Sequence, residues 1–127
     1  MVPQPDPPPA VAAARPLVEA YGAGGFRVRG ARIEGPVLIS SVGVWPWMVD
    51  GLAAATVVSL GDMLDGGAVE ILLLGCGASM APPPAALRAA LEARRIRLEP
   101  MTTGAACRTF NVLVAERRPV GAALLAV

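Results

Sequence analysis

The chain of 127 residues contains no histidine and no lysine, and all 11 of its positive charges are arginine. Without histidine it has no Ser-His-Asp triad, no imidazole metal ligand and no histidine general base. Without lysine it can form no Schiff base and has no lysine for a P-loop. The commonest catalytic sites are thereby excluded, and we expect no catalytic residue, no bound metal and no cofactor.

Aromatic residues and excess charge are also scarce. The chain has two Trp, two Phe and one Tyr, and its net charge is +1. Proteins that bind nucleic acid usually carry a basic surface, and those that bind single strands add aromatic side chains for stacking. We therefore predict no nucleic-acid partner.

The first residues lack the pattern of an export signal. Residues 1–14 include five prolines and no positive charge, whereas a signal peptide needs a basic start and an apolar helix. We expect residues 1–19 to form a disordered tail rich in Pro and Ala, followed by one domain at residues 20–127. The bias toward Ala, Gly, Pro and Arg is typical of a bacterial source, and the absent signal indicates a cytoplasmic location.

Residues 35–61 are long enough for a transmembrane helix and contain a single charged residue, Asp50. Pro36 and Pro46 interrupt this stretch, and Asp50 would lie near the middle of a span. Its Val and Ile residues cluster in two blocks, as in buried strands. We therefore predict no transmembrane segment, so that any association with the inner membrane would be peripheral and through a partner.

The first half of the chain shows the two-residue alternation of half-exposed strands. It predicts an antiparallel hairpin from residues 26–29 and 31–34, followed by a strand at 37–40. Before the hairpin, residues 16–21 suggest one helical turn. After it, residues 56–58 suggest a strand core, and Ser59 is placed to cap a short helix that ends near Leu64.

The second half of the chain alternates strands and helices. The pattern predicts strands at residues 69–74, 96–99 and 120–127, with helices at 85–95 and 104–116 between them. Such strand–helix–strand units favour parallel pairing. The expected fold is a single compact α/β domain whose central mixed sheet has βαβ units in its C-terminal half and an antiparallel hairpin in its N-terminal half.

A candidate ligand site is predicted where two of these strands end. The turn of Gly75, Cys76 and Gly77 follows one strand, and the start of the last helix follows the next, so both belong to the carboxyl edge of the sheet. Glycine amides, threonine hydroxyls and an arginine fork could bind an anion there. The alternative is a tight turn beside a capped helix. The candidate residues are Gly75, Cys76, Gly77, Thr102, Thr103, Cys107, Arg108 and Asn111.

The two cysteines allow two interpretations. Cys107 lies on the apolar stripe of the last helix, and Cys76 lies in the loop that could face the start of that helix. If the two approached within disulfide range, they could form a redox switch. Otherwise they are small buried hydrophobic residues.

Both tryptophans flank Pro46. Exposed, Trp45 and Trp47 would be candidate anchors of a protein interface, since Trp is enriched at interface hot spots. Buried, they would belong to the core. We expect one of them in the core and the other at its rim.

Taken together, several segments of the sequence resemble one family. The resemblance covers about residues 20–127. It is carried by Tyr21 and Gly22, by Gly25 to Arg27, by Trp45 and Trp47, and by residues 70–77, 101–113, 116, 118 and 120. The family is the Mth938-type domain family of unknown function, which includes mitochondrial complex I assembly factor 3 and the adipogenesis-associated Mth-type proteins.

This resemblance implies a compact α/β domain around a mixed sheet, and for the animal relative a non-catalytic role in assembling complex I with a partner protein. By analogy, the leading hypothesis for this chain is a protein-interaction or assembly-accessory domain with a protein partner that the sequence does not identify. The alternative is a domain that binds a small anion through the turn at residues 75–77 and the helix start at Thr103 to Arg108.

Overall fold

A computed structural model describes residues 15–67 and 69–127, where the first three strands form an antiparallel sheet of their own. These strands are β1 (Val18–Gly22), β2 (Gly25–Val28) and β3 (Ala31–Glu34). In β2, Phe26 and Val28 are buried while Arg27 between them is exposed, which is the alternation of a strand covered on one face. The predicted hairpin of β2 and β3 is confirmed, and β1 extends it.

The remaining strands form a mixed sheet. They are β4 (Val37–Ser40), β5 (Gly43–Pro46), β6 (Ile71–Gly75), β7 (Arg97–Met101) and β8 (Val120–Leu124). Their order across the sheet is β5–β4–β8–β6–β7. Both β5 and β8 run antiparallel to β4, whereas β7 and β8 run parallel to β6. The predicted mixed sheet with parallel strands in its C-terminal half is confirmed, and β5 is a strand that the sequence patterns did not predict.

Among the residues that the structure describes, three α-helices accompany the mixed sheet: α1 (Gly61–Asp65), α2 (Ala85–Ala93) and α3 (Thr103–Ala115). Helix α2 connects β6 to β7. Helix α3 connects β7 to β8, and β8 and β7 flank β6 on opposite sides in the sheet. Among residues 15–67 and 69–127, no helix has the length and apolar character needed to cross a bilayer.

The core consists of two layers, one on each face of the mixed sheet. Leu73 of β6 packs with Cys107 and Phe110 of α3 in one layer, which also includes the buried side chains of β1 and β2. Its neighbours Leu72 and Leu74 pack in the other layer with the buried leucines of α2. Because β6 is covered on both faces, its sequence is a continuous apolar run rather than an alternating one.

The N-terminal end of the described chain differs from the prediction. Residues 18–21 belong to strand β1, not to a helical turn, because their backbone pairs with β2 and is also held by a side chain of α3. The predicted boundary at residues 19 and 20 therefore lies two residues inside a strand. Most of the predicted tail, residues 1–14, lies outside the described residues.

The predicted strand core at residues 56–58 and the predicted cap at Ser59 were wrong, whereas the short helix expected to end near Leu64 is present as α1. Two short 3₁₀ helices, Leu52–Ala54 and Val58–Leu60, occupy the region of the expected strand. Ser59 does not cap α1, because its hydroxyl accepts a hydrogen bond from the Trp47 ring at 3.0 Å and donates one to the Thr56 carbonyl at 2.6 Å. Helix α1 has no side-chain cap.

The outer strands of the mixed sheet each carry a proline, Pro46 in β5 and Pro100 in β7. In β7 the amide of Arg97 donates to the Glu70 carbonyl, and the carbonyl of Met101 accepts from Cys76, so odd-numbered residues direct their backbone toward β6. Pro100 therefore lies where an amide would point outward. Another strand that paired with this edge would find no donor there.

Candidate functional site

The turn after β6 and the start of α3 meet at the carboxyl edge of the mixed sheet, as the sequence predicted. The amide of Cys76 donates to the Met101 carbonyl at 2.8 Å, and the amide of Thr103 donates to the Gly77 carbonyl at 2.9 Å. The end of β8 joins them, because the amide of Leu125 donates to the Gly75 carbonyl at 3.0 Å. We call this meeting point, formed by Gly75, Gly77, Thr103 and Leu125, the carboxyl-edge junction.

Thr103 holds the junction together with its hydroxyl. This side chain is fully buried. Its Oγ1 accepts a hydrogen bond from the Gly77 amide at 2.9 Å and donates one to the Leu125 carbonyl at 2.7 Å. The Thr103 hydroxyl, which the sequence analysis considered as a ligand-binding group, is therefore hydrogen-bonded within the protein instead.

The two glycines of the turn have packing and backbone roles. A Cβ on Gly75 would lie 3.0 Å from Thr103 Oγ1 and 3.0 Å from Leu124 Cδ2, so no side chain fits there without displacing them. Gly77 adopts a φ of +99°, which L side chains rarely adopt. Thr102 caps α3 by accepting a hydrogen bond from the Ala105 amide. These residues form a closed turn beside a capped helix.

Arg108 lies on the outer surface of α3 and faces β1 rather than the turn at residues 75–77. Its Nη1 donates to the Tyr21 hydroxyl at 3.1 Å. Tyr21 reaches across the first turn of α3 because residue 104 is glycine, where a Cβ would lie 2.6 Å from the Tyr21 oxygen. The structure thus places Arg108 in a surface contact between α3 and β1.

Asn111 connects the same two elements. Its Oδ1 accepts a hydrogen bond from the Val18 amide, and its Nδ2 donates to the Val18 carbonyl, both at 2.9 Å. The side-chain amide therefore pairs with the backbone of β1 as a neighbouring strand would. All of its described polar contacts are made inside the domain.

The two cysteines lie on opposite faces of the mixed sheet. Cys107 belongs to the layer under α3, and Cys76 belongs to the layer under α2. Both are free thiols. Burial raises the pKa of the Cys107 thiol to about 11, so that it stays protonated and poorly nucleophilic near neutral pH. The sheet between them separates the two sulfurs in this fold.

The tryptophans divide between core and rim. Trp47 is 2% exposed and belongs to the core, so its ring is not available to an interface. Trp45 is half-buried, and its ring lies over Gly43 of the same strand, at 3.1 Å from the position of a Cβ there. Of the two interface candidates, the structure leaves only Trp45 partly accessible.

Comparison with known proteins now identifies the family. The model of a protein family of unknown function, DUF498/DUF598, matches residues 18–125. The chain belongs to this family. The match begins at the first residue of β1 and ends one residue after β8, so it spans both sheets.

Curated relatives include bacterial and animal proteins. An uncharacterized protein of Rhodobacter capsulatus is 42% identical over 118 residues, which are 92% of this chain and 89% of that protein. NADH dehydrogenase [ubiquinone] 1 alpha subcomplex assembly factor 3 is 32% identical in both zebrafish and human, over 90% and 85% of this chain. The chain spans 66% and 59% of the length of those two assembly factors.

Solved structures show the same fold. A Bartonella henselae protein described as an outer membrane protein superposes with a TM-score of 0.82 at 37% identity, over 91% of this chain and 98% of its own. A Bordetella pertussis Mth938-like domain gives a TM-score of 0.70 at 28% identity, over 87% and 85%. The resemblance inferred from the sequence and the α/β fold class are thereby confirmed.

Sequence reasoning missed two features. The contact of Tyr21 with Gly104 and Arg108 had one local signal, a glycine in the first turn of a helix where it is unfavourable. Met48 is 86% exposed directly beside the buried Trp47, and only the unusual Trp-Pro-Trp segment before it marked this region of the sequence.

Proposed function

We propose that this chain is a non-catalytic assembly-accessory protein that binds a protein partner while a respiratory complex is built. The observation that carries the proposal is the 32% identity with complex I assembly factors over most of the chain. A sequence relationship that covers 85–90% of the chain supports a related role.

The carboxyl-edge junction supports a binding role that does not use a small anion. Thr103 and the Gly77 amide bond to each other, and Arg108 bonds to Tyr21 on another surface. Of the groups that would have to bind an anion together, the Thr103 hydroxyl and the Gly77 amide are therefore bonded to each other, and Arg108 lies on a different surface. Among the described residues, no three His, Cys, Asp or Glu side chains are grouped so that they could hold a metal ion.

The proposed role also suggests a location. We propose that the chain acts in the bacterial cytoplasm, and at the inner membrane when it is bound to a partner.

The proposal is tested by deleting the gene in its own host. We expect the deletion to reduce NADH:ubiquinone oxidoreductase activity in membranes and the amount of assembled complex on native gels. A plasmid copy of the chain restores both. An affinity-tagged copy is expected to recover a subunit of the complex or another assembly protein, identified by quantitative mass spectrometry. Normal activity and assembly in the deletion strain would contradict the proposal.

A further inference from the structure

The loop after β5 places a buried tryptophan beside an exposed methionine. The Trp47 amide donates to the Pro36 carbonyl at 2.9 Å, and its ring donates to Ser59 at 3.0 Å. The Val49 amide in turn donates to the Trp47 carbonyl at 3.0 Å. Residues on both sides of Met48 are thus fixed, while the Met48 side chain extends into solvent and is 86% exposed.

Two neighbouring depressions, of about 320 and 430 Å³, surround this loop. The first is lined in part by Trp47 and Met48 and the second in part by Leu125 and Ala126. They share Pro36, Val49 and Asp50 and therefore form one continuous surface. We call it the Met48 surface; it comprises Glu34, Pro36, residues 46–51, Gly77, Leu125 and Ala126.

The charged groups of the Met48 surface are both acidic. Glu34 is paired with Arg32 outside the depressions. Asp50 is exposed and has no hydrogen-bond or ion-pair partner among residues 15–67 and 69–127. The surface therefore combines an exposed methionine and apolar walls with one uncompensated negative charge.

The negative charge of Asp50 favours one kind of binding partner for the Met48 surface over the others. Two copies of the chain that docked symmetrically through this surface would place two Asp50 carboxylates in an interface to which the lining residues contribute no positive charge, since a two-fold interface repeats the same patch. Anionic lipid headgroups would be repelled for the same reason. A protein segment with a basic residue beside an apolar pocket is complementary to both the charge and the methionine.

We propose that the Met48 surface is the docking site for the protein partner, with Met48 inserted in an apolar pocket and Asp50 opposite a Lys or Arg of the partner. This inference rests on the proposed function and specifies where the partner binds. Methionine suits the position because its flexible, polarizable side chain adapts to an apolar pocket. The adjacent buried Trp47 holds the loop in place, so little ordering is needed on binding.

The test uses the partner recovered with the tagged full-length chain. We expect M48E and D50K each to weaken its binding by about tenfold or more, because each changes the centre of the interface. V112E introduces a charge at another exposed apolar position, on α3, and D65K makes the same charge change on α1. Both controls are expected to bind within about twofold of the wild type. Circular dichroism melts verify that all four variants are folded.

A photoreactive amino acid at position 48 then identifies what contacts the surface. The expected cross-link joins position 48 to a partner segment that carries a Lys or Arg, and changing that residue to Asp restores binding to D50K. If the wild type recovers no respiratory subunit or assembly protein, the proposed function fails. If it recovers one whose affinity is unchanged by M48E and D50K, or if position 48 cross-links to a second copy of the chain, the docking surface is overturned.

Discussion

At the scale of single residues, the hydroxyl of Thr103 joins three segments that are distant in the sequence. It bonds to the turn after β6 and to the end of β8 from the first residue of α3. A buried polar group that loses its partner costs more than the hydrogen bond itself contributes, because the group left behind stays out of water. The junction is therefore a structural centre of the domain.

Replacing Thr103 by Val tests this role. T103V keeps the shape of the side chain but leaves the Gly77 amide and the Leu125 carbonyl without their partner, and we expect a loss of about 1–3 kcal/mol in the free energy of unfolding. T103S keeps the hydroxyl and should lose less. Urea titration followed by circular dichroism measures both. A T103V variant that is as stable as the wild type, or that loses less stability than T103S, would show that the hydroxyl does not hold the junction.

Cys107 makes stability depend on pH in the alkaline range. Burial raises the pKa of its thiol from 9.0 to about 11 in the folded chain. Between these values the unfolded chain loses the proton and the folded chain keeps it, so the free energy of unfolding falls as the pH rises, by up to about 1.4 kcal/mol per pH unit. Well below pH 9 the thiol is protonated in both states, so the free energy of unfolding is not reduced by its titration.

Urea unfolding of the wild type and of C107A between pH 8 and pH 10.5 measures this dependence. We expect the stability of the wild type to fall more steeply than that of C107A, because the variant has no thiol at this position to titrate. Parallel pH profiles for the two proteins would contradict the assignment. The remaining titratable groups are the same in both, so the difference between the profiles isolates Cys107.

At the scale of elements, Asn111 determines how β1 is attached. It is separated from Val18 by 93 residues in the sequence, yet both of its hydrogen bonds go to the Val18 backbone. Strand β1 otherwise pairs only along β2 in its own sheet. Among the described residues, its polar attachment to α3 consists of the Asn111 side chain and the contact of Tyr21 with Arg108, and Val18 also packs in the apolar layer under α3.

We expect N111A to loosen β1 without unfolding the mixed sheet. Hydrogen exchange measured by mass spectrometry should accelerate in a peptide that covers β1 and stay unchanged in peptides from β6 and β8, because local opening needs less free energy than global unfolding. R108A removes the hydrogen bond to Tyr21, which is the other polar contact described between α3 and β1, and serves as the comparison variant. Uniform acceleration along the whole chain would instead indicate global destabilisation.

The distance in sequence also explains which elements could be predicted. Strands β2, β4 and β6 are visible in the sequence because alternating or continuous apolar patterns are local. Strand β1 was missed because Val18 is its only buried residue and it therefore shows no apolar alternation, and Ser59 was misassigned because Trp47 occupies its hydroxyl. The proximity of residues 75–77 to Thr103 could be predicted because parallel strands end at the same edge of a sheet. The hydrogen bond from Thr103 to the Leu125 carbonyl could not, because no local sequence pattern connects these two residues.

At the scale of the whole molecule, both edge strands of the mixed sheet carry a proline at the positions where another copy of the chain would pair. Pro46 and Pro100 interrupt the outer strands, and β7 also carries the charged pair of Arg97 and Glu99. Interrupted and charged edges are a common protection against pairing between sheets. An apolar chain of this composition benefits from that protection, since its mean hydropathy is +0.56.

Changing Pro100 to Val restores an outward amide and should promote self-association. We expect P100V to show a higher average mass than the wild type in light scattering at millimolar concentration, with the fold unchanged by circular dichroism. P82V makes the same change in the exposed loop before α2 and should remain like the wild type. A P100V variant that scatters like the wild type would show that this proline does not protect the edge.

Each core layer contains one thiol, so chemical labelling of the two cysteines can report how each layer opens. Cys76 and Cys107 lie on opposite faces of the mixed sheet, and each becomes reactive only when its layer opens. The rate at which a thiol reagent labels each cysteine in the native protein measures the opening of one layer separately from the other. Partner binding at the Met48 surface, which adjoins the layer of Trp47 and Cys76, should then slow the labelling of Cys76 more than that of Cys107.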